Sequence, residues 1–403
     1  MKAGDVVGGY RLLENFRVVG AGLSEWTFAE RDGREFFIKR FLSPTYPDDE
    51  APGSASTKLR KRARCAAFEA HHRGIQVALA PVTRYGGNLI TTVDFFRQGA
   101  KYYKVTERVD LAGLEAEDVA RLDFPTRLVL LKTVAHSLKI LHDLHIVHSD
   151  LKPSNVLIKR TELGYTTKLI DFDNSYVVGR PPPADEIVGT MNYYSPELVR
   201  YIQGADNGSE LTEASDIFAL GLIYAQYLTG SLPSFEPVHH EPAIAVLNGN
   251  PLRLPPAGLP TPVPELVNRM LLADPSARPK IDEVHATLMG HRAVASHTTG
   301  KPPHVAAPPG RNVGSLLRGK GVRIADDART PSAVATKVEP IAAPGRRPSA
   351  GRRVASRALG RPDRSTPPAK PATTGSAEPG PTGSMLGDLV GKLLTKLERG
   401  RYR

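Results

Sequence analysis

The chain has 403 residues, 40% hydrophobic and 24% charged, and a formal net charge of +11 that is segregated: residues 1–290 carry −3 and residues 291–403 carry +14. A single cysteine, Cys65, excludes an intramolecular disulfide and a multi-thiolate metal site. The longest apolar run, Ile217 to Leu228, is too short to span a bilayer, and the N-terminus lacks the apolar core of a signal peptide, so no integral membrane segment and a cytoplasmic location are expected.

The first hundred residues read mainly as strands. "EWTFAER" and "REFFIKRF" flank Asp32-Gly33, a strong hairpin signal between two β-rich runs. A polar loop leads into "TKLRKRARCAAFEAHHRG", read as a helix ending at Gly74, and two further strands are expected at "NLITTVDFF" and "KYYKVTERV". From Asp123 onward helical spacing takes over: "FPTRLVLLKTVAHSLKILHDLH" has a proline near its start, and "TEASDIFALGLIYAQYLTG" opens on cap-type residues and stops at a glycine. After residue 290 the only aromatic is Tyr402 and there are fourteen prolines, a composition expected to remain disordered. Within that tail, "MLGDLVGKLLTKLER" places Leu386, Leu389, Val390, Leu393 and Leu397 on one face of a short amphipathic helix.

Candidate phosphate-binding residues lie in the strand-rich part. Val19, Gly20 and Gly22 end a strand, where glycines allow close backbone approach to a phosphate; a plain turn is the bland alternative. Lys39, on the hairpin's second strand, is suited to the α- and β-phosphates of ATP. Such a lysine needs an acidic partner. Glu69 in the following helix is the expected one, against the alternative of a solvated helix face.

"HSDLKPSNVLI" is more specific. Asp150 is a carboxylate for orienting an acceptor hydroxyl and receiving its proton, and Lys152 is a cation for charge developing on a transferring phosphoryl group. Asn155 supplies an amide oxygen for a divalent ion, and sixteen residues on "LIDFD" supplies Asp171 as a second metal ligand.

Over roughly Tyr10 to Met289 the sequence resembles a eukaryotic-type serine/threonine protein kinase of the kind found in bacteria. The resemblance includes "GTMNYYSPE" (Gly189 to Glu197), "SDIFALG" with Asp216, and "DPSARP" with Arg278. It implies an α+β bilobal protein-kinase-like fold, with a small β-rich lobe over about 10–107 and a larger helical lobe over about 110–290. A disordered basic linker over 291–383 and a short helix over 384–400 would follow. ATP with Mg2+, or Mn2+ in its place, is the implied cofactor set, and a protein serine or threonine the implied acceptor. By the same resemblance Glu107 to Val109 form the hinge that hydrogen-bonds adenine, Thr106 is the gatekeeper and Leu157 lies under the ring. Asp216 anchors the catalytic loop, and Arg278 pairs with Glu197.

Several positions depart from the family pattern. Phe37 replaces a small residue over adenine, Thr27 a valine that packs on it, and Asp173 a glycine, where it reads as a tolerated turn residue. Ser149 replaces an arginine that binds a phosphate on the activation loop, and nothing from Val177 to Val188 carries a hydroxyl. The expectation is a loop that works without phosphorylation. His148 is expected to support the loop backbone. The basic tail suits nucleic acid, an acidic partner or a membrane surface, with a solvated linker as the plain alternative. The terminal helix suits docking on a partner protein. A catalytically inert pseudokinase scaffold and a small-molecule kinase are the alternative functions.

Overall fold

The computed structural model describes residues 1–19, 24–48, 50, 52–84, 87–255 and 258–290. Seven short strands open the chain: β1 (Val6–Val7), β2 (Tyr10–Leu12), β3 (Arg17–Val19), β4 (Ser24–Arg31), β5 (Arg34–Phe41), β6 (Thr92–Gln98) and β7 (Lys101–Glu107). They pair antiparallel in the order β1-β2-β4-β5-β7-β6, with β3 also on β4, so the sheet begins a few residues before the expected boundary at Tyr10. The hairpin between β4 and β5 turns at Asp32 and Gly33, both with left-handed backbone (φ 54° and 71°), as a two-residue turn matched to strand twist requires. Alternation along these strands buries Tyr10, Ala29, Phe36, Ile38, Tyr103 and Val105 in a core on one face of the sheet.

Helix α1 (Ala55–Leu79) packs on the other face through Cys65, Phe68 and His72, against Phe41, Phe95 and Tyr102. Its N-terminus is capped by Ser54, which accepts from the Thr57 N–H at 3.2 Å. It runs five residues past Gly74, the expected end. His72, Ile75 and Leu79 are all buried at helical spacing, and that burial outweighs the ~1 kcal/mol that a mid-helix glycine costs.

The second lobe is helical: α2 (Ala116–Ala120), α3 (Phe124–His142), α4 (Pro196–Ile202), α5 (Glu213–Thr229), α6 (Pro242–Leu247), α7 (Val263–Met270) and α8 (Ile281–Gly290). α3 and α5 follow the sequence-based expectation closely. Asp123 caps α3 ahead of Pro125, and α5 runs from the Thr212 cap to Gly230, whose left-handed backbone (φ 83°) closes the helix. Thirteen of the seventeen α5 residues are buried, so it is the central post of this lobe. Between α3 and α4 lie four short strands, β8 (Ile146–Val147), β9 (Val156–Thr161), β10 (Gly164–Leu169) and β11 (Tyr176–Val177), paired β9 with β10 and β8 with β11. The second of these pairings sets the segment 148–155 beside the segment 171–175. The expected linker over 291–383 and helix over 384–400 lie outside the described residues.

Candidate active site

Residues 148–155 leave β8 as an irregular loop whose backbone is held from below by α5. Asp216, 1% exposed, accepts from the backbone N–H groups of His148 (2.7 Å) and Ser149 (3.0 Å) and lies 3.0 Å from His142 Nε2. Ser149 needs this support because its backbone is left-handed (φ 67°), unfavourable for a residue with a side chain. His148 is fully buried. Its Nδ1 accepts from the Asp150 N–H at 3.3 Å, so the ring proton sits on Nε2 and donates to the Ile170 carbonyl at 2.9 Å. This imidazole joins the loop to the strand that delivers Asp171.

On that frame the Asp150 carboxylate meets Lys152 Nζ at 2.8 and 3.0 Å, and Lys152 also reaches Thr190 Oγ1 at 3.4 Å. Asn155 donates through Nδ2 to the Asp150 carbonyl at 2.7 Å and to its carboxylate at 3.2 Å. Burial pushes the Asp150 carboxyl above its usual range, and the nearby Lys152 ammonium only partly opposes this. Gly189 sits against the same carboxylate. A Cβ there would lie 2.8 Å from the Tyr194 ring and 3.3 Å from Asp150 Oδ1, so glycine is required by space.

The second cluster differs from expectation. Lys39 and Lys104 are cross-strand partners on β5 and β7. Both ammonium groups point at two carboxylates, Asp171 and Asp173. Lys39 Nζ is 3.2 Å from each Asp171 oxygen and 2.6 Å from Asp173 Oδ2. Lys104 lies 3.0 Å from Asp171 Oδ1 and also bonds Asp173 Oδ1. Burial alone raises a carboxyl, but the two lysines outweigh it and hold Asp171 well below its ordinary value, and Asp173 below its own. Burial likewise disfavours the Lys39 ammonium, yet Asp171 and Asp173 override it and raise its pKa.

Glu69 is not the partner of Lys39: its carboxylate accepts from the Tyr102 hydroxyl at 2.6 Å. The reason is local. α1 turns His71 and His72, not Glu69, toward the Asp173 turn, with His71 Nε2 2.8 Å from the Asp173 carbonyl oxygen and His72 Nδ1 3.9 Å from Asp173 Oδ1. Burial holds His72 uncharged, with a pKa lowered to about 3. Asp173 is also more than a turn residue. The left-handed backbone belongs to Asp171 (φ 64°), while Asp173 contributes its side chain to the ion cluster. Sequence reasoning missed Lys104. A lysine inside the apolar run Tyr102 to Val105, with an aspartate where the related motif has glycine, was the available signal.

The other candidates lie on β7, β9 and β3 or just beyond them. Glu107 ends β7 opposite Phe36, Arg108 N–H donates to the Glu35 carbonyl at 3.3 Å, and Val109 follows half-buried. Leu157 is half-buried on β9, Val19 ends β3, and Gly20 and Gly22 lie outside the described residues. Phe37 stacks on Trp26 (centroids 5.5 Å apart) and meets Phe28 edge-on, forming a three-ring group on the sheet face that carries Lys39. Thr27 points the other way; it is fully buried and donates to the Glu14 carbonyl at 2.8 Å.

The segment from Asn174 to Ser195 is tied along its length. Asn174 Nδ2 donates to the Val188 carbonyl at 2.8 Å, the Tyr201 hydroxyl to the Pro182 carbonyl at 3.0 Å, and Ser175 Oγ to the His148 carbonyl at 3.1 Å. Ser175 is 0% and Tyr176 4% exposed, so the two hydroxyls that follow Asp173 are enclosed. Beyond the segment, Glu197 and Arg278 form a buried pair.

Comparison with known proteins matches residues 77–288 to the protein kinase domain, a span holding Asp150, Lys152, Asn155, Asp171, Glu197, Asp216 and Arg278 but beginning after Lys39 and Glu69. The ovarian-specific serine/threonine-protein kinase Lok of Drosophila melanogaster is 30% identical over 194 residues, 48% of this chain and 38% of its own length. Serine/threonine-protein kinase PknA of Mycobacterium tuberculosis is 28% identical over 350 residues, 85% of this chain and 74% of its own. The PknA kinase of Corynebacterium glutamicum is 30% identical over 199 residues, 48% of this chain and 40% of its own, so the chain spans well under half of two of these three relatives. No described helix is long and apolar enough to cross a membrane. With the matched span covering more than half of its length, and the buried catalytic-loop frame inside that span, the chain belongs to the protein kinase family.

Proposed function

We propose that this chain is a serine/threonine protein kinase that transfers the γ-phosphoryl group of ATP to a protein hydroxyl, with no requirement for phosphate on the segment between Asp173 and Gly189. The observation that carries this reading is the contact set of Asp150, Lys152, Asn155 and Thr190 on a loop fixed by Asp216. In it, the acceptor hydroxyl binds at Asp150, whose carboxylate orients it and takes its proton as the oxygen attacks phosphorus. Lys152, already at that carboxylate, offsets negative charge gathering on the transferring group. Lys39 binds the α- and β-phosphates, and the backbone of Glu107 and Val109 meets the adenine, above Leu157.

Asn155 and Asp171 are hard oxygen donors, suited to Mg2+ or Mn2+, and the Asn155 amide nitrogen is taken by the Asp150 carbonyl, which leaves its oxygen for a cation. When bound, that ion neutralises phosphate charge. The enclosure of Ser175 and Tyr176, together with serine at position 149, supports a segment held by its own contacts. A cytoplasmic location, an acidic partner for the basic tail and a protein partner for the segment 384–400 belong to the same reading.

The stack of Trp26, Phe28 and Phe37 favours a second reading, an inert scaffold, because these rings occupy the sheet face that carries Lys39. Transfer from γ-labelled ATP to the protein itself and to a generic basic protein decides between the two. Label above an Asp150→Asn control is the expected result, and none above it would establish the scaffold.

A further inference from the structure

Lys39 and Lys104 stand directly opposite each other on neighbouring strands, an arrangement that repels unless anions lie between them. Asp171 and Asp173, two residues apart on one turn, provide those anions, so the four side chains form a neutral ring of alternating charge. The ring is largely shielded: Lys104 is 6% and Asp173 14% exposed. A shielded ammonium or carboxylate without its partner is strongly unfavourable, so Lys104 and Asp173 each account for the other's presence.

We propose that Asp173 is the carboxylate that holds Lys39 against the nucleotide, in place of a glutamate on α1, and that Lys104 is the counter-cation that holds Asp173. Both are positioning residues. The division of labour follows from the chemistry of Asp171, whose oxygens are weaker acceptors for Lys39 once they also face a divalent ion. Asp173 makes the shorter contact with Lys39, 2.6 Å against 3.2 Å, and remains available when Asp171 turns to the ion. α1 has no carboxylate to offer, since Glu69 is engaged by Tyr102. It presents His71 to the Asp173 carbonyl, which fixes the turn and leaves the Asp173 carboxylate free to face the lysines.

The inference deepens the proposed kinase reading, and its test separates the two by measuring nucleotide binding apart from transfer. A fluorescent ATP analogue is titrated into the full chain with and without Mg2+, alongside steady-state transfer. Asp173→Asn is expected to weaken nucleotide binding about tenfold, the loss of one charge-assisted contact, and to raise KM for ATP more than it lowers kcat. Glu69→Gln is expected to bind within about twofold of the native chain by the same reckoning. Because Asp173→Asn leaves two lysines to the single carboxylate of Asp171, the double variant D173N/K104M keeps the ring neutral, and its melting curve reports whether it folds. It is expected to melt cooperatively and still bind nucleotide weakly.

Native-like nucleotide binding by the folded double variant, or a loss in Glu69→Gln equal to that in Asp173→Asn, would overturn the proposal. A native chain that binds nucleotide, loses it in Asp173→Asn and yet transfers no phosphate would leave the inference standing and remove the kinase reading. A native chain that binds no nucleotide would remove both.

Discussion

Arg278 and Glu197 meet through two parallel hydrogen bonds, Nη1 to Oε1 and Nη2 to Oε2, each 2.8 Å, and neither side chain reaches solvent. Nε of Arg278 donates to the Leu272 carbonyl, and its remaining N–H groups to those of Ala214 and Ala273, so all five guanidinium donors are used. Glu197 also accepts from Ser215 at 2.7 Å, which ties the starts of α4 and α5 to the turn before α8. Removing one partner leaves a buried charge, so Arg278→Ala is expected to destabilise the domain by about 3–5 kcal/mol in urea unfolding. Replacing both, as in E197L/R278M, is expected to cost much less.

The same pair has a pH signature. Burial pushes Glu197 up, but Arg278 outweighs it and the carboxyl lies below its ordinary value in the folded chain. Stability from this group is therefore present above the unfolded-state pKa and is lost as pH falls through the lower folded value. Arg278→Ala lacks that contribution, so the stability gap between it and the native chain, followed by circular dichroism in urea, is expected to be largest near neutral pH and to narrow as pH falls through the native folded value.

Asp216→Ala removes the acceptor for the His148 and Ser149 N–H groups, and the left-handed Ser149 loses what holds it. Misplacement of Asp150 is the expected consequence, with kcat down roughly a hundredfold. Lys39 and its carboxylates sit on other elements, so KM for ATP is expected to stay within about threefold. An equal loss in both parameters would show that α5 supports the nucleotide as well.

Lys152→Met is expected to change the pH profile as well as the rate. Burial raises the Asp150 carboxyl and Lys152 opposes that, so removing the ammonium raises it further. The acid limb of kcat/KM should move to higher pH, with kcat at its plateau down about a hundredfold or more. A limb that stays in place would mean that Asp150 is not the group titrating.

Ser175→Ala removes one hydrogen bond to the His148 carbonyl, worth about 1 kcal/mol in stability, and Tyr176→Phe removes a buried hydroxyl. Neither is expected to change kcat by more than about threefold in protein treated with phosphatase. A collapse of activity in either, together with a native chain that is active only when phosphorylated, would return the segment to phosphate control.

The catalytic loop was legible because its chemistry is compressed into eight consecutive letters and its supports, Asp216 and Arg278, sit in motifs of their own. α3 and α5 were legible because caps and apolar spacing agree at both ends. The partner of Lys39 was not. Glu69 and His71 are two residues apart on one helix, about 200° around its axis, so which of them faces the Asp173 turn depends on how α1 rotates against Phe41, Phe95 and Tyr102. That rotation is a packing outcome. Thr27 failed for a similar reason: a one-residue offset in a strand exchanges its two faces, and Trp26 and Phe28 took the face assigned to it.

The segment after Asn174 has both ends anchored, by β11 at one side and the capped start of α4 at the other, with Pro181 to Pro183 and two crossing hydrogen bonds between them. If the acceptor of the proposed function docks on this segment, little loop freedom is left for it to remove. Such recognition would be rigid docking, with preference among acceptor sequences expressed in how long each one stays.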